Sequence, residues 1–216
     1  MKAKRILVGL TALAAATMSV PVFAQAKGAD AGPWYLVFGL VKSHSSGGNT
    51  SGVASGVPFS VSGLDNNQTS WQVNGGYQFT PEWGVELQYT DLGKRNGTVT
   101  FGAPLNGVAT IPDTRAYQWG IAGTGTYWFN ESWFGRAKLG VSSNHVSSSS
   151  VTFGGVTVAT NSTSKTDVLA GVGAGYRWTP NITTRLEYEY FGKFGDNGTG
   201  GSIKGSNIGM RFQYAF

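Results

Sequence analysis

Ile208, Met210, Phe212, Tyr214 and Phe216 are apolar or aromatic and lie two apart, with Gly209, Arg211, Gln213 and Ala215 between them. Side chains two apart on a strand share one face. The segment therefore predicts a strand with one greasy face and one mostly polar face. The same alternation recurs along the chain and predicts eight strands, at about 33–42, 69–79, 83–92, 114–129, 133–144, 165–178, 182–192 and 203–216. Short turns fall at Thr80-Pro81-Glu82, Asn130-Glu131-Ser132 and Thr179-Pro180-Asn181, where Pro, Asn and Thr supply turn chemistry. Stretches rich in Gly, Ser, Thr and Asn fill 43–68, 93–113, 146–164 and 193–202.

Short and long connections thus alternate around an even number of strands. A soluble sandwich shows the same alternation but does not sort its loops by length in this way. The pattern is that of an all-β, eight-stranded, antiparallel up-and-down transmembrane β-barrel with four long extracellular loops and three short periplasmic turns. Aromatic residues at the short-turn ends agree: Trp34, Phe79, Trp83, Tyr127, Phe129, Trp133, Trp178, Tyr214 and Phe216. Such rings collect at headgroup level, because they join an apolar body to a polar handle. Of these, Trp34, Phe79, Trp83, Trp133 and Trp178 are the expected aromatic girdle. A ring of core aromatics at one end of a soluble barrel is the alternative.

Placing the apolar face outward fixes the inward face by parity. The third strand then turns Glu86 and Gln88 inward, the fifth Arg136 and Lys138, the seventh Arg185, Glu187 and Glu189, and the eighth Arg211 and Gln213. A soluble core would not tolerate these charges, whereas the lumen of a membrane barrel is polar. Glu86, Arg136 and Arg185 enter at one depth, Lys138 and Glu187 at the next. An eight-stranded barrel is only wide enough for side chains to fill, so Glu86, Arg136, Lys138, Arg185, Glu187, Glu189 and Arg211 are expected to form a plugging ionic network. A gated, narrow ion path is the alternative.

The amino terminus changes the charge picture. Lys2, Lys4 and Arg5 precede an uncharged apolar run, Ile6 to Val20, and small residues flank Phe23 at Val22 and Ala24. This is the layout of a secretory signal peptide, expected to span 1–24, with cleavage after Ala26 as the alternative. A short periplasmic segment, 25–32, then leads to the barrel, 33–216. Losing three cations lowers the formal charge from +5 to +2, which removes the basis for a nucleic-acid partner. There is no cysteine, so no disulfide holds the fold, and no second run is long and apolar enough for a membrane helix.

Little in the chain suggests catalysis. The two histidines, His44 and His145, lie near loop-side strand ends among many serines, with no acid placed by spacing to orient either ring. A lipid-modifying enzyme is therefore the weakest alternative, and no cofactor or metal is expected. The glycines of Gly171-Val172-Gly173-Ala174-Gly175 lie within a strand, where they relieve crowding rather than cradle phosphate. Three loops carry similar apolar nuclei, Val57-Pro58-Phe59-Ser60, Val99-Thr100-Phe101-Gly102 and Val151-Thr152-Phe153-Gly154. They would extend the sheet above the membrane or, alternatively, form a contact surface.

Three segments resemble the barrel of OmpA-type outer-membrane proteins: Gly75-Gly76-Tyr77-Gln78-Phe79-Thr80-Pro81, Glu86-Leu87-Gln88-Tyr89-Thr90-Asp91-Leu92-Gly93, and Thr179-Pro180 through Thr184-Arg185-Leu186-Glu187-Tyr188. The resemblance covers essentially all of the chain after the signal. It implies a lumenal pair between Glu86 and Arg185, with Arg136 matching a further inward arginine. Thr124 stands where the family carries an inward lysine, and Gly175 where it carries an inward glutamate, which leaves fewer partners for a switchable ion pair. The chain ends at the last strand, so no peptidoglycan-binding domain is expected. The alternating Phe212, Tyr214 and Phe216 resemble the signal read by the barrel-assembly machinery. The resemblance implies residence in the outer membrane, contact with its lipids including lipopolysaccharide, and roles in envelope structure, adhesion or contact with a host surface through the loops. A narrow pore for small solutes or ions is the alternative.

Overall fold

The computed structural model describes residues 32–46, 50–62, 66–147, 149–160, 162–194 and 203–216. The signal-peptide reading over 1–24, and all of the 25–32 segment but Gly32, lie outside the described residues. Among the described residues there are twelve strands: β1 (Trp34–Ser46), β2 (Thr50–Ala54), β3 (Val57–Ser62), β4 (Asn66–Gln78), β5 (Trp83–Phe101), β6 (Gly107–Trp128), β7 (Trp133–Val146), β8 (Ser149–Phe153), β9 (Val156–Thr160), β10 (Thr163–Arg177), β11 (Ile182–Phe194) and β12 (Ile203–Ala215). Eight of them, β1, β4, β5, β6, β7, β10, β11 and β12, form an antiparallel ring that the β5–β6 pairing closes. Closure leaves the barrel wall without a free edge at the height of the β10–β11 pairing, which ends at Ala170↔Tyr190.

The three short turns are tied by their own side chains. Thr80 Oγ1 accepts the Trp83 N–H at 3.1 Å, Asn130 Oδ1 accepts Trp133 N–H at 2.8 Å, and Thr179 Oγ1 accepts Ile182 N–H at 3.1 Å. Such local bonds are the reason Thr and Asn favour turns.

Burial alternates along every barrel strand. On β1, Trp34, Leu36, Phe38 and Leu40 are exposed, whereas Tyr35, Val37, Gly39 and Val41 are buried. Arg185, Arg211, Gln72, Gln88, Glu86 and Glu187 rank among the largest fully buried side chains, while Leu139, Met210, Val172 and Leu40 stand exposed. The barrel is therefore polar inside and apolar outside, the inverse of a water-soluble protein.

The stretches expected to be long loops are largely strand. β1 continues to Ser46, β5 and β6 stay paired out to Phe101↔Gly107, and two hairpins, β2–β3 and β8–β9, are added. β3 pairs with the far end of β5, β8 packs beside β6, and β9 approaches β2. Inside this extension Val57, Val61, Val99, Phe101, Val151, Val156 and Val158 form one buried cluster, with the Phe101 and Phe153 rings stacked at 5.5 Å. The three loop nuclei thus extend the sheet and share a single apolar core. Of the fourth expected loop, 193–202, the part from 195 onward lies outside the described residues.

Pairing between β10 and β11 runs only from Arg177↔Thr183 to Ala170↔Tyr190. Above it β11 bulges at Gly192, whose φ of +77° favours glycine. The Asp167 carboxylate accepts the Lys193 N–H at 2.9 Å, and the Phe191 carbonyl accepts Asn144 Nδ2 at 2.7 Å. This steers Phe191 inward against Leu92, Ala116, Ala122 and Leu169, forming an apolar layer across the lumen.

Candidate functional site

The lumenal charges occupy one cluster. Glu86 on β5 is fully buried and lies at its centre. Its Oε1 accepts Arg185 Nη2 at 2.6 Å and Arg136 Nη2 at 2.8 Å, and its Oε2 accepts Lys138 Nζ at 3.2 Å and Asn74 Nδ2 at 3.3 Å. Glu187 Oε1 lies 2.6 Å from Arg185 Nε, and its Oε2 lies 3.1 Å from Lys138 Nζ and 3.4 Å from Arg211 Nε. These are ion-pair contacts without hydrogen-bond geometry. Glu189 pairs with Lys138 and, at 2.9 Å, with Arg211 Nη2.

All seven sequence-derived charges meet here, although β5 and β11 are not neighbours in the ring. The contacts of Glu86 with Arg185, Arg136 and Lys138, and of Lys138 with Glu187 and Glu189, join strands that are not paired, whereas Arg211 meets Glu187 and Glu189 across the β11–β12 pair. Arg185 is even directly opposite Arg211 in the β11–β12 register, a like-charge juxtaposition that Glu187 bridges. Neutral side chains complete the network: Gln72 accepts from Arg211 at 2.9 Å, Gln213 accepts from Arg185 at 2.6 Å, and Asn207 donates to Glu189 at 3.1 Å. Sequence parity placed Gln213 inside. It would also place Gln72, Asn74 and Asn207 there, since each shares the face of a buried neighbour two positions away.

Space for these long side chains comes from β10. A Cβ on Gly173 would lie 2.5 Å from Glu187 Cγ and 2.4 Å from the Leu186 carbonyl oxygen. Gly171 and Gly175 line the same face. The glycine run is the bare wall against which the charges of β7 and β11 pack.

The apolar layer of Leu92, Leu169 and Phe191 was not anticipated. Its signal is parity again: Leu92 follows Glu86, Gln88 and Thr90, and Phe191 follows Arg185, Glu187 and Glu189. Below the charges, at the short-turn end, lies an open cavity of about 370 Å³.

The expected girdle residues Trp34, Phe79, Trp83, Trp133 and Trp178 are all exposed at the short-turn end. Phe212, Tyr214 and Phe216 lie on the outward face of the last strand and its end. His44 Nδ1 lies 2.6 Å from Asn67 Oδ1, and His145 Nδ1 lies 2.7 Å from Ser164 Oγ. Among the described residues no carboxylate bonds to either imidazole, and no group of acids and histidines is spaced to hold a metal.

The family model for the OmpA-like transmembrane domain matches residues 29–214. The chain belongs to this family. Solved outer-membrane barrels share its fold. The Neisserial surface protein A is 16% identical, with a TM-score of 0.55 over 86% of this chain and 99% of that one. The outer-membrane protein OprG of Pseudomonas aeruginosa is 12% identical, with a TM-score of 0.53 over 85% and 97%. No curated protein matches the chain.

Proposed function

We propose that this protein resides in the outer membrane as a plugged barrel and acts in envelope structure and surface contact through its extracellular extension. The observation that carries the reading is where the built structure lies. Charges and the Leu92–Leu169–Phe191 layer fill the lumen, while β2, β3, β8, β9 and the ends of β5 and β6 stand beyond it around an apolar core of their own. Loops that merely reconnect strands need no such core. One that orders three loops holds a surface in fixed shape and so lowers the entropic cost of binding to it.

The aromatic rings support the membrane placement. Outward Trp119 and Phe129 are ten positions apart on and just after β6. At about 3.3 Å per residue and a tilt of about 40°, they are separated by roughly 25 Å along the membrane normal, the height of the apolar band of such barrels. Trp34, Phe79, Trp83, Trp133 and Trp178 form the inner girdle, and Trp71, Tyr89 and Trp119 part of the outer one, with Tyr89 and Trp119 ring centroids 4.8 Å apart. The seven charges serve as the stabilising plug.

Planar-bilayer recording together with a clean chromosomal deletion tests the reading. A plugged barrel shows no reproducible, long-lived openings of general-porin size, and its deletion changes surface binding or envelope integrity while leaving small-solute uptake unchanged. Stable large openings, with reduced uptake in the deletion, would establish the pore reading instead.

A further inference from the structure

The cavity at the short-turn end has a chemical character of its own. Its wall combines the aromatic rings of Tyr35, Trp128 and Phe134 with Arg136, Arg177 and Thr183, and no acidic residue lines it among the described residues. At about 370 Å³ it lies within the range of small-molecule sites.

Electrostatics give the cavity a sign. The cluster above it holds four cations, Arg136, Lys138, Arg185 and Arg211, against three carboxylates, Glu86, Glu187 and Glu189. One positive charge is thus uncompensated in a poorly hydrated interior, where charge acts over longer distances than in water. Arg177 adds a second at the mouth. It donates through Nε at 3.1 Å to the Glu131 carbonyl, and its guanidinium stacks 4.2 Å from the Trp128 ring. Nη1 of Arg177 is left without a described partner. Arg136 donates to Glu86, Tyr35 and Thr126, which uses three of the five N–H groups of a guanidinium. Thr183, only 7% exposed, has a buried hydroxyl with no hydrogen-bond partner. Thr183 is one of the residues lining the cavity, and a buried hydroxyl without a partner gains by donating to a ligand seated beside it. The acidic side chain of Glu82 stands on the rim, where it is bonded by Thr80 at 3.0 Å.

We propose that this short-turn mouth is a binding site for a small monoanion with an apolar body, such as an aromatic carboxylate. The charged head would meet Arg177 and Thr183, and the body would lie against Tyr35, Trp128 and Phe134. The cationic excess excludes cations, and the aromatic wall disfavours fully hydrated anions. Nothing in the surface-contact function requires such a site.

The indole N–H of Trp128 reports on it, because it donates to the Pro81 carbonyl at 3.3 Å on the cavity rim. The test is a titration of isotope-labelled protein in zwitterionic-lipid nanodiscs with 2-naphthoate, followed by the Trp indole resonances. The Trp128 signal should move saturably, while the outward Trp34 and Trp178 signals should not follow that curve. Acetate and the neutral 2-naphthylmethanol should each bind at least about tenfold more weakly, the worth of a charge-assisted hydrogen bond or of the buried ring system. Arg177→Gln should weaken 2-naphthoate about tenfold, and Thr183→Val about threefold to tenfold. If Arg177→Gln does not fold, the Thr183→Val result decides. The absence of a saturable Trp128 shift, equal binding of the neutral alcohol, or unchanged affinity in the folded variants would overturn the proposal.

Discussion

Replacing Glu86 by Gln keeps the shape of the side chain and removes one charge from the centre of the lumen. The cluster then holds four cations against two carboxylates, and Arg136, Arg185 and Lys138 each lose a charged partner at 2.8, 2.6 and 3.2 Å. Breaking a buried ion pair from one side costs about 3–5 kcal/mol, because the remaining charge stays desolvated. Two features place Glu86→Gln near the lower bound. Arg185 keeps Glu187 and Gln213, and Arg136 keeps Tyr35 and Thr126; the amide oxygen of Gln also retains one acceptor. The expected loss is thus about 3 kcal/mol. Arg185→Met removes the facing cation at similar length. With both changes made, the loss should fall short of the sum of the singles by about 0.5–3 kcal/mol, the range for residues in one network. Urea unfolding in lipid vesicles, followed by tryptophan fluorescence, gives the four stabilities of the cycle. A Glu86→Gln loss below about 0.5 kcal/mol, the level of an ordinary surface substitution, or a coupling of zero would show that the two side chains do not meet and that the inward faces of β5 and β11 are misassigned.

Other outcomes follow from the same geometry. Gly173→Ala should cost about 1–3 kcal/mol, as overpacking does, because its methyl would enter the space of Glu187 Cγ; Ala at this position unfolding at the wild-type urea midpoint would contradict the bare-wall role. Phe101→Ala removes a buried ring from the extension at a local cost of about 3–5 kcal/mol. It should speed tryptic cleavage after Lys94 or Arg95 while leaving heat-modifiable gel migration intact, and loss of that migration would mean that the extension and the barrel fold as one unit. Deleting Phe216 should lower the amount inserted in cells yet leave refolding in detergent intact. In the folded state it contributes an exposed ring and one backbone bond, to the Trp34 carbonyl at 3.0 Å, worth about 1 kcal/mol; equal cellular insertion with and without Phe216 would refute an assembly role.

The barrel was legible because one rule governs it. A strand that faces lipid on one side and a narrow lumen on the other must alternate, so parity counted from a few outward aromatics placed Glu86, Arg136, Lys138, Arg185, Glu187, Glu189 and Arg211 on one inner surface. Parity does not say which of them touch, since that depends on strand tilt and on contacts across the ring, such as Glu86 with Arg185. Depth counting anticipated that pair, and it anticipated Lys138 with Glu187. It did not give the bond between Lys138 and Glu189. The upper half was harder to read. Val57, Val99 and Val151 sit in polar, glycine-rich stretches where a short apolar nucleus looks isolated. Only contacts between residues distant in sequence turn them into one core. Leu92, Leu169 and Phe191 were missed for a different reason: a polar lumen was expected throughout, although their parity pointed inward.

An inverted barrel turns apolar side chains to lipid and polar ones inward, and β1 tests this without any substitution. Leu36 and Leu40 are exposed, with Val37 and Val41 buried between and beside them. The measurement is methyl NMR of labelled wild-type protein in nanodiscs whose lipids carry a nitroxide deep in the acyl chain. The methyl signals of Leu36 and Leu40 should be broadened while those of Val37 and Val41 stay sharp. Broadening of Val37 and Val41 with Leu36 and Leu40 spared, or no difference between the two sets, would contradict it.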